Sequence, residues 1–250
     1  MRRLIAVTCA TSGIGQAVCE RLVECGYDLL LFGRDEEKLG DLRDRLTVDR
    51  PCHIETRRVD FDSDVDLQRF AADGADTVNR LHGLVVIYPR IPKRAAAILD
   101  AHESAMLWQR CFLRPLELVR ILLDDLDSDA RVVIVSGISN SQVFPSLGVS
   151  NVVRAAWLAQ AKLLAFVLGE RRIRVNTVSL GGTLTDRFVE NLAKSPQGGP
   201  LDDQPGVIPL GEFGKPSDAA YVIEAMLGDF AAHMTGANIV WDGGLSRHYC

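Results

Sequence analysis

The sequence predicts an α/β fold in which one doubly wound parallel sheet of about seven strands lies between two layers of helices. Short apolar runs alternate with helical patterns along the whole chain, as in β-α units joined by right-handed crossovers. The apolar runs are continuous, which indicates strands buried on both faces. Two glycines, Gly13 and Gly15, follow the first run at a strand-to-helix turn. We therefore expect a single domain over residues 1–250.

Each predicted element follows from its local pattern. Runs of aliphatic residues predict strands at residues 4–7, 29–32, 54–59, 84–87, 131–135, 174–178 and 238–240. Apolar residues spaced three or four apart predict helices at residues 13–25, 36–46, 65–78, 99–126, 151–168 and 217–227. Residues 181–209 contain the Gly- and Pro-rich segment 194–206 and predict a lid or substrate loop.

The composition is that of an ordinary globular protein. The chain has 250 residues, of which 47% are hydrophobic and 24% charged. The net charge of −5 gives no support for a nucleic-acid or anionic-membrane partner. The six cysteines have no metal-binding spacing, which favours reduced thiols, and no apolar run is long enough for a signal peptide or a membrane span. We expect a cytoplasmic protein without a metal.

The turn after the first strand has the form of a phosphate-binding loop. It reads Thr8, Cys9, Ala10, Thr11, Ser12, Gly13, Ile14, Gly15, and a helix follows. Glycines at such a turn let the backbone approach a pyrophosphate that lies at the helix N-terminus. This pattern predicts a dinucleotide site, and the residues assigned to it are Thr8, Ser12, Gly13, Ile14 and Gly15.

Two further residues concern the adenosine end of the dinucleotide. Arg34 follows the second strand, where such folds meet the ribose, and a guanidinium there favours a 2′-phosphate and hence NADP(H). Asp60 ends the third strand and is placed to hold the adenine edge. Solvated strand-end residues are the alternative for both. A chain that binds no cofactor is also an alternative, because Cys9 and the pair Tyr88-Pro89 crowd or stiffen backbone next to the nucleotide.

Together these motifs resemble the short-chain dehydrogenase/reductase (SDR) superfamily from end to end. Residues 8–15 are similar to its Thr-Gly-x-x-x-Gly-x-Gly turn, residues 174–178 to its sixth strand, and residues 181–185 to its Pro-Gly-x-x-x-Thr turn. The C-terminal matches are Pro209-Leu210-Gly211, Phe213-Gly214, Thr235-Gly236 and Asp242-Gly243-Gly244. The resemblance implies a Rossmann-like domain in which Thr185 and Arg154 also contact NADP(H).

The positions that match the catalytic residues of the superfamily hold other residue types. Ser150 stands where the family has its acidic Tyr, and Arg154 stands where it has the Lys four residues later. The family's Ser maps to Gly137, with Ser139 close by, and its Asn maps to about Cys111. The resemblance therefore implies a site built from these five positions around one pocket beside the nicotinamide.

The changed residue types favour a non-standard reaction. A serine hydroxyl is far less acidic than a phenol, and Arg154 essentially never donates a proton, although it can hold an oxyanion. Tyr88 is either a packing residue or a residue that approaches the site from the loop after the fourth strand. With Tyr88 interpreted as a packing residue, we expect no proton donor near neutral pH and no ordinary ketone reduction. The predicted function is an atypical enzyme that acts on a small hydrophobic molecule by enone reduction or by non-redox cyclisation or isomerisation.

Two alternatives and one assembly prediction complete the sequence analysis. The chain can be a catalytically inactive scaffold or subunit of a complex, or an NADPH-dependent ketoreductase whose site residues are out of register. The family resemblance and the apolar helices at residues 107–126 and 151–168 predict a homodimer or homotetramer.

Overall fold

The computed structural model describes residues 2–48, 50–72, 80–91, 98–193 and 207–247. It confirms the single Rossmann-like α/β domain with one parallel sheet in the order β3-β2-β1-β4-β5-β6-β7. The strands are β1 (Leu4–Val7), β2 (Asp28–Gly33), β3 (Ile54–Arg58), β4 (Leu81–Ile87), β5 (Leu126–Gly137), β6 (Arg174–Leu180) and β7 (Asn238–Trp241). The helices are α1 (Gly13–Glu24), α2 (Glu36–Thr47), α3 (Val65–Ala72), α4 (Ala101–Trp108), α5 (Arg114–Leu122), α6 (Ser150–Val167), α7 (Asp186–Ala193) and α8 (Pro216–Leu227).

The first helices begin where side chains satisfy their free backbone amides. Ser12 accepts a hydrogen bond from the Gly15 amide at the start of α1. Asp35 does the same at α2 through the Lys38 amide. Each helix then buries one apolar stripe against the sheet, so that the carboxyl ends of the central strands stay open for a ligand.

Two apolar clusters cover the two faces of the sheet. One lies beneath α5 and α6 and includes Trp157 and Cys111, and the other lies beneath α1 and α8. A third, smaller cluster lies beyond β6 and includes Ile138, Phe144 and Phe213. The site described below therefore has the α5–α6 layer on one side and this third cluster on the other.

Three predicted elements differ from the structure. Strand β5 begins at Leu126 instead of residue 131. The expected helix 99–126 is divided into α4, a π-helix at Gln109–Leu113, and α5. Helix α7 lies inside the predicted lid 181–209, and residues 194–206 of that lid fall outside the described residues, as does the end of the expected helix 65–78.

One helical stretch, Ser150–Arg171, is long and apolar enough to cross a membrane by length and composition alone. In the structure this stretch packs on β5 and β6, with Trp157, Ala161 and Ala165 buried. Its outward face leaves Leu163 57% and Phe166 86% exposed.

Candidate active site

The turn between β1 and α1 is held in a shape that depends on its small residues. A Cβ atom added at Gly15 would lie 2.4 Å from the Cys9 carbonyl oxygen, so only glycine fits there. Cys9 itself has a φ of 48°, a left-handed conformation that glycine adopts more readily. The first turn of α1 contains no acidic residue. The half-buried Ile14 and the exposed Gly13 thus begin a helix whose amides can face an anion.

Two threonines connect this turn to its neighbours. The Thr8 hydroxyl donates to the Ile87 carbonyl oxygen over 2.7 Å and accepts from the Ile87 amide over 2.8 Å. Thr8 therefore joins the ends of β1 and β4, and its hydroxyl serves both as donor and as acceptor. A Cβ atom at Gly13 would lie 2.8 Å from the side chain of Thr185, so Thr185 packs directly on the start of α1.

A buried carboxylate links the two residues predicted for the adenosine end. Asp66 in α3 accepts hydrogen bonds from Arg58, over 2.6 Å, and from the Asp60 amide, over 2.9 Å. The same Arg58 donates to the Arg34 carbonyl oxygen over 3.2 Å. The side chain of Arg34 is exposed, and no carboxylate among the described residues pairs with it. Asp66 and Arg58 thus connect the backbone of Arg34 with the backbone of Asp60 through hydrogen bonds.

Arg154 faces the end of β5 across a residue that has no side chain. A Cβ atom at Gly137 would lie 3.0 Å from Arg154 Cζ and 3.1 Å from its Nη1. The guanidinium donates from Nη1 to the Ser139 hydroxyl over 2.8 Å. Within the described part of the chain no carboxylate forms an ion pair with Arg154. The structure thus brings Gly137, Ser139 and Arg154 together around a half-buried cation that lacks a fixed counter-ion.

Tyr88 lies in the same cluster, a position that the sequence analysis gave as the alternative to packing. Its hydroxyl is 2.8 Å from the Ser136 hydroxyl, and its ring stacks on Trp157 with 5.3 Å between centroids and 2° between planes. Burial raises the pKa of the Tyr88 phenol, while the charge of Arg154 and the hydrogen bond with Ser136 oppose that rise. The expectation that the site has no proton donor near neutral pH stays a prediction.

The pairing of neighbouring strands could have revealed Tyr88. Val86 of β4 is opposite Ile134 of β5 in the sheet, so the same register carried two residues further places Tyr88 beside Ser136. A doubly wound order already predicts that the fourth and fifth strands are neighbours.

Ser150 and Cys111 take part in other contacts. The Ser150 hydroxyl donates to the Leu147 carbonyl oxygen over 2.6 Å, and the side chain is buried. Cys111 is fully buried within the π-helix, and its carbonyl oxygen accepts from Trp157 Nε1 over 2.8 Å. Their assignment to the site remains a prediction.

Neither Cys9 nor Cys111 has the properties of a nucleophile. Burial raises the pKa of Cys9 to about 12 and that of Cys111 to about 11. Both thiols therefore stay protonated at neutral pH. No group of three or more His, Cys, Asp or Glu side chains within the described ranges could hold a metal ion.

A parallel seven-stranded sheet with a glycine turn after β1 and a polar cluster at the ends of β4 and β5 is the architecture of the doubly wound folds that bind dinucleotides. The chain belongs to the short-chain dehydrogenase/reductase superfamily, because residues 9–246 match the family model described as enoyl-(acyl carrier protein) reductase.

Similar proteins support this assignment along the full length of the chain. The 3-oxoacyl-[acyl-carrier-protein] reductase FabG of Aggregatibacter actinomycetemcomitans is 26% identical, over 98% of this chain and 100% of the relative. A short chain oxidoreductase from Pseudomonas aeruginosa PAO1 containing an atypical catalytic center superposes in its apo form with a TM-score of 0.86 and 25% identity. Its NADPH-bound structure has a TM-score of 0.84 and 26% identity, and both cover 99% of this chain and 98% of the relative.

Proposed function

We propose that the protein is an NADP(H)-dependent reductase of a small hydrophobic compound in which a carbonyl group is conjugated to a carbon–carbon double bond. The single observation that carries the proposal is Arg154, a half-buried guanidinium that is oriented by Ser139 and has no paired carboxylate among the described residues. Such a group is suited to a negative charge that develops on a substrate oxygen.

The geometry around Gly137 supports this role for Arg154. Because Gly137 has no side chain, the guanidinium can lie against the end of β5. The hydrogen bond with Ser139 then limits its rotation, so the donor is oriented before the reaction begins. Preorganised donors of this kind favour the enolate oxygen of an enone over the neutral carbonyl of the substrate.

The cofactor turn fits a dinucleotide. Gly13, Ile14 and Gly15 would receive the pyrophosphate at the start of α1, with Ser12 as the helix cap. Arg34 would pair with the 2′-phosphate and Asp60 would meet the adenine, which together favour NADP(H) over NAD(H). When bound, the cofactor supplies the hydride. The NADPH-bound oxidoreductase from Pseudomonas aeruginosa is a relative in which this cofactor is present.

The substrate side of the site is apolar. Phe188 in α7 and Phe213 stack edge to face with 5.0 Å between ring centroids, and Ile138 and Phe144 belong to the same cluster. We infer that the described parts of the predicted lid, residues 181–193 and 207–209, line the substrate side of the site together with this cluster. A hydrophobic substrate would gain affinity there through the burial of apolar surface.

The test measures NADPH oxidation with matched enones and ketones of increasing chain length. We expect turnover with the enones, and turnover with the matched ketones alone would contradict the enone assignment. Arg154→Gln should lower kcat by about 10²–10³, the usual effect of removing an oxyanion donor. Arg43→Gln, an exposed arginine of α2, is the matched control and should leave kcat unchanged. Enone turnover that survives Arg154→Gln would refute the proposal.

Cofactor preference has its own measurement. Calorimetric titration should give tighter binding of NADPH than of NADH, and Arg34→Ala should remove most of the difference because it deletes the charge opposite the 2′-phosphate. Equal affinities in the wild type would count against Arg34. The five cysteines among the described residues are free thiols, which supports the expectation that the protein works in the reducing cytoplasm.

A further inference from the structure

We propose that Tyr88 is the general acid of the reaction, a catalytic phenol that comes from the segment after β4. This inference rests on the proposed function, because it concerns the proton that must follow the hydride. Neither residue at the α6 positions can supply that proton. The Ser150 hydroxyl already donates a hydrogen bond to the Leu147 carbonyl oxygen, and a guanidinium such as that of Arg154 essentially never loses a proton.

The phenol and the guanidinium are neighbouring groups that interact at the end of β5. Tyr88 contacts Ser136, the residue before Gly137, and Arg154 lies against Gly137 itself. An oxygen that accepts a hydrogen bond from Arg154 at this strand end would therefore lie beside the Tyr88 hydroxyl. Among the described side chains at this strand end, the other hydroxyls, those of Ser136 and Ser139, are alcohols with little acidity.

The ring of Tyr88 is held firmly, as a proton donor requires. The double hydrogen bond between Thr8 and Ile87 fixes the residue before it. Trp157 covers one ring face at a stacking distance of 5.3 Å, and Trp157 is itself held by the bond from Nε1 to the Cys111 carbonyl oxygen. The π-helix that carries Cys111 thus supports the phenol through Trp157. Irregular turns of this kind are frequent at functional sites.

The electron and proton balance is simple. When bound, NADPH would supply the hydride that adds to the β-carbon of the enone, and the π electrons would then move to the carbonyl oxygen. That oxygen forms a bond with the proton of Tyr88 Oη, which leaves a phenolate and an enol. The Ser136 hydroxyl donates to the phenolate and the Arg154 charge stabilises it, until water returns the proton. The enol becomes the saturated carbonyl compound by proton exchange with water, and the hydride donor would be released in its oxidised form.

The protonation state of Tyr88 suits this step. Burial raises the pKa of the phenol, so the proton is in place at neutral pH. Arg154 acts in the opposite direction and limits the cost of forming the phenolate. The activity that depends on this proton should be complete at neutral pH and should fall as the pH rises through the pKa of Tyr88.

The first experiment needs no turnover. Para-nitrophenolate, a planar anion that resembles an enolate, is titrated into the protein with NADP⁺ present. Tyr88→Phe keeps the stacked ring and removes only the hydroxyl, and it should weaken binding by about tenfold or more, as expected for a hydrogen bond to a charge. Tyr221→Phe is the control, since this exposed tyrosine lies on α8 beneath Arg21. Thermal melting verifies that both variants are folded.

The second experiment follows kcat of enone reduction against pH. The wild type should lose activity at high pH, and Tyr88→Phe should be slower by about 10²–10⁴ at neutral pH and lack that decline. Ser136→Ala should shift the decline to higher pH, because it removes a hydrogen bond that lowers the pKa of Tyr88.

The outcomes separate the two proposals. If Arg154→Gln weakens nitrophenolate binding and slows turnover while Tyr88→Phe does neither, the role of Tyr88 is wrong and the proposed function stands. If the wild type neither binds nitrophenolate nor reduces any enone, the proposed function itself is wrong.

Discussion

Gly137→Ala is the sharpest test of how Arg154 is positioned. The new Cβ atom would lie 3.0 Å from Arg154 Cζ, whereas carbon contacts are most favourable at about 3.5–4.0 Å. The guanidinium must therefore retreat by about 0.5 Å, and its bond with Ser139 would lengthen. A misplacement of 1 Å costs about 10²-fold in rate, so we expect kcat to fall by about tenfold.

The same substitution should leave the fold intact. The backbone of Gly137 is extended, with φ −126° and ψ 157°, a conformation that alanine adopts without strain. Replacing glycine under these conditions stabilises the native state by about 0.4–1 kcal/mol through the unfolded chain, which offsets the contact with the flexible arginine. Gly137→Ala should therefore lower kcat without lowering the melting temperature.

The assay compares single-turnover NADPH oxidation and thermal melting in the wild type, in Gly137→Ala and in Gly40→Ala. Gly40 lies in α2, where an added Cβ atom meets nothing within 4 Å, so this variant controls for the change of residue type. The effect of Gly137→Ala should shrink in an Arg154→Lys background, because lysine has no planar group at that point. An undiminished rate in Gly137→Ala would refute the reasoning.

Three further predictions follow from other parts of the structure. Asp66→Ala should weaken NADPH binding about tenfold and lower the free energy of unfolding by about 1–3 kcal/mol, because Arg58 loses a buried partner. An unchanged NADPH affinity in calorimetry would contradict this prediction. Iodoacetamide should modify exposed Cys25 well before Cys9, because the pKa of about 12 keeps the Cys9 thiol protonated. Mass spectrometry measures the order of modification, and modification of Cys9 first would contradict this prediction. Light scattering should return a mass of at least twice 27.4 kDa, because we expect a homodimer or homotetramer. Phe166→Asp on the exposed face of α6 should shift the mass toward that of the monomer. A monomeric wild type would exclude both assemblies.

Most of the sheet could be predicted from the sequence, and the exceptions have physical causes. Strands such as β2 are buried on both faces and read as unbroken apolar runs. The first half of β5 was missed because charged and partly exposed residues interrupt its apolar pattern. Asp129 there has a left-handed φ of 68° and pairs with Arg172 and Arg174.

The candidate site was harder to predict because its contacts join distant parts of the chain. Arg154 and Gly137 could be located by their resemblance to family positions, but the contact between them depends on how α6 crosses the end of β5. The sequence analysis favoured packing for Tyr88, as is usual for an aromatic residue after a buried strand, but the apolar pattern does not reveal the contact of its hydroxyl. Tyr88 does pack there, against Trp157, and its hydroxyl still reaches Ser136. Packing and a polar role are therefore compatible in one side chain.

The contact between Gly137 and Arg154 also restricts the order in which such a site can arise from an ancestor with a side chain at position 137 and lysine at position 154. Arginine introduced first would meet the existing side chain, since even one Cβ atom comes within 3.0 Å of the guanidinium. Loss of the side chain first leaves the backbone extended and the strand end undisturbed. The route that costs least therefore passes through a glycine–lysine intermediate. Reversal by the other order would first displace the guanidinium by about 0.5 Å and weaken its bond with Ser139.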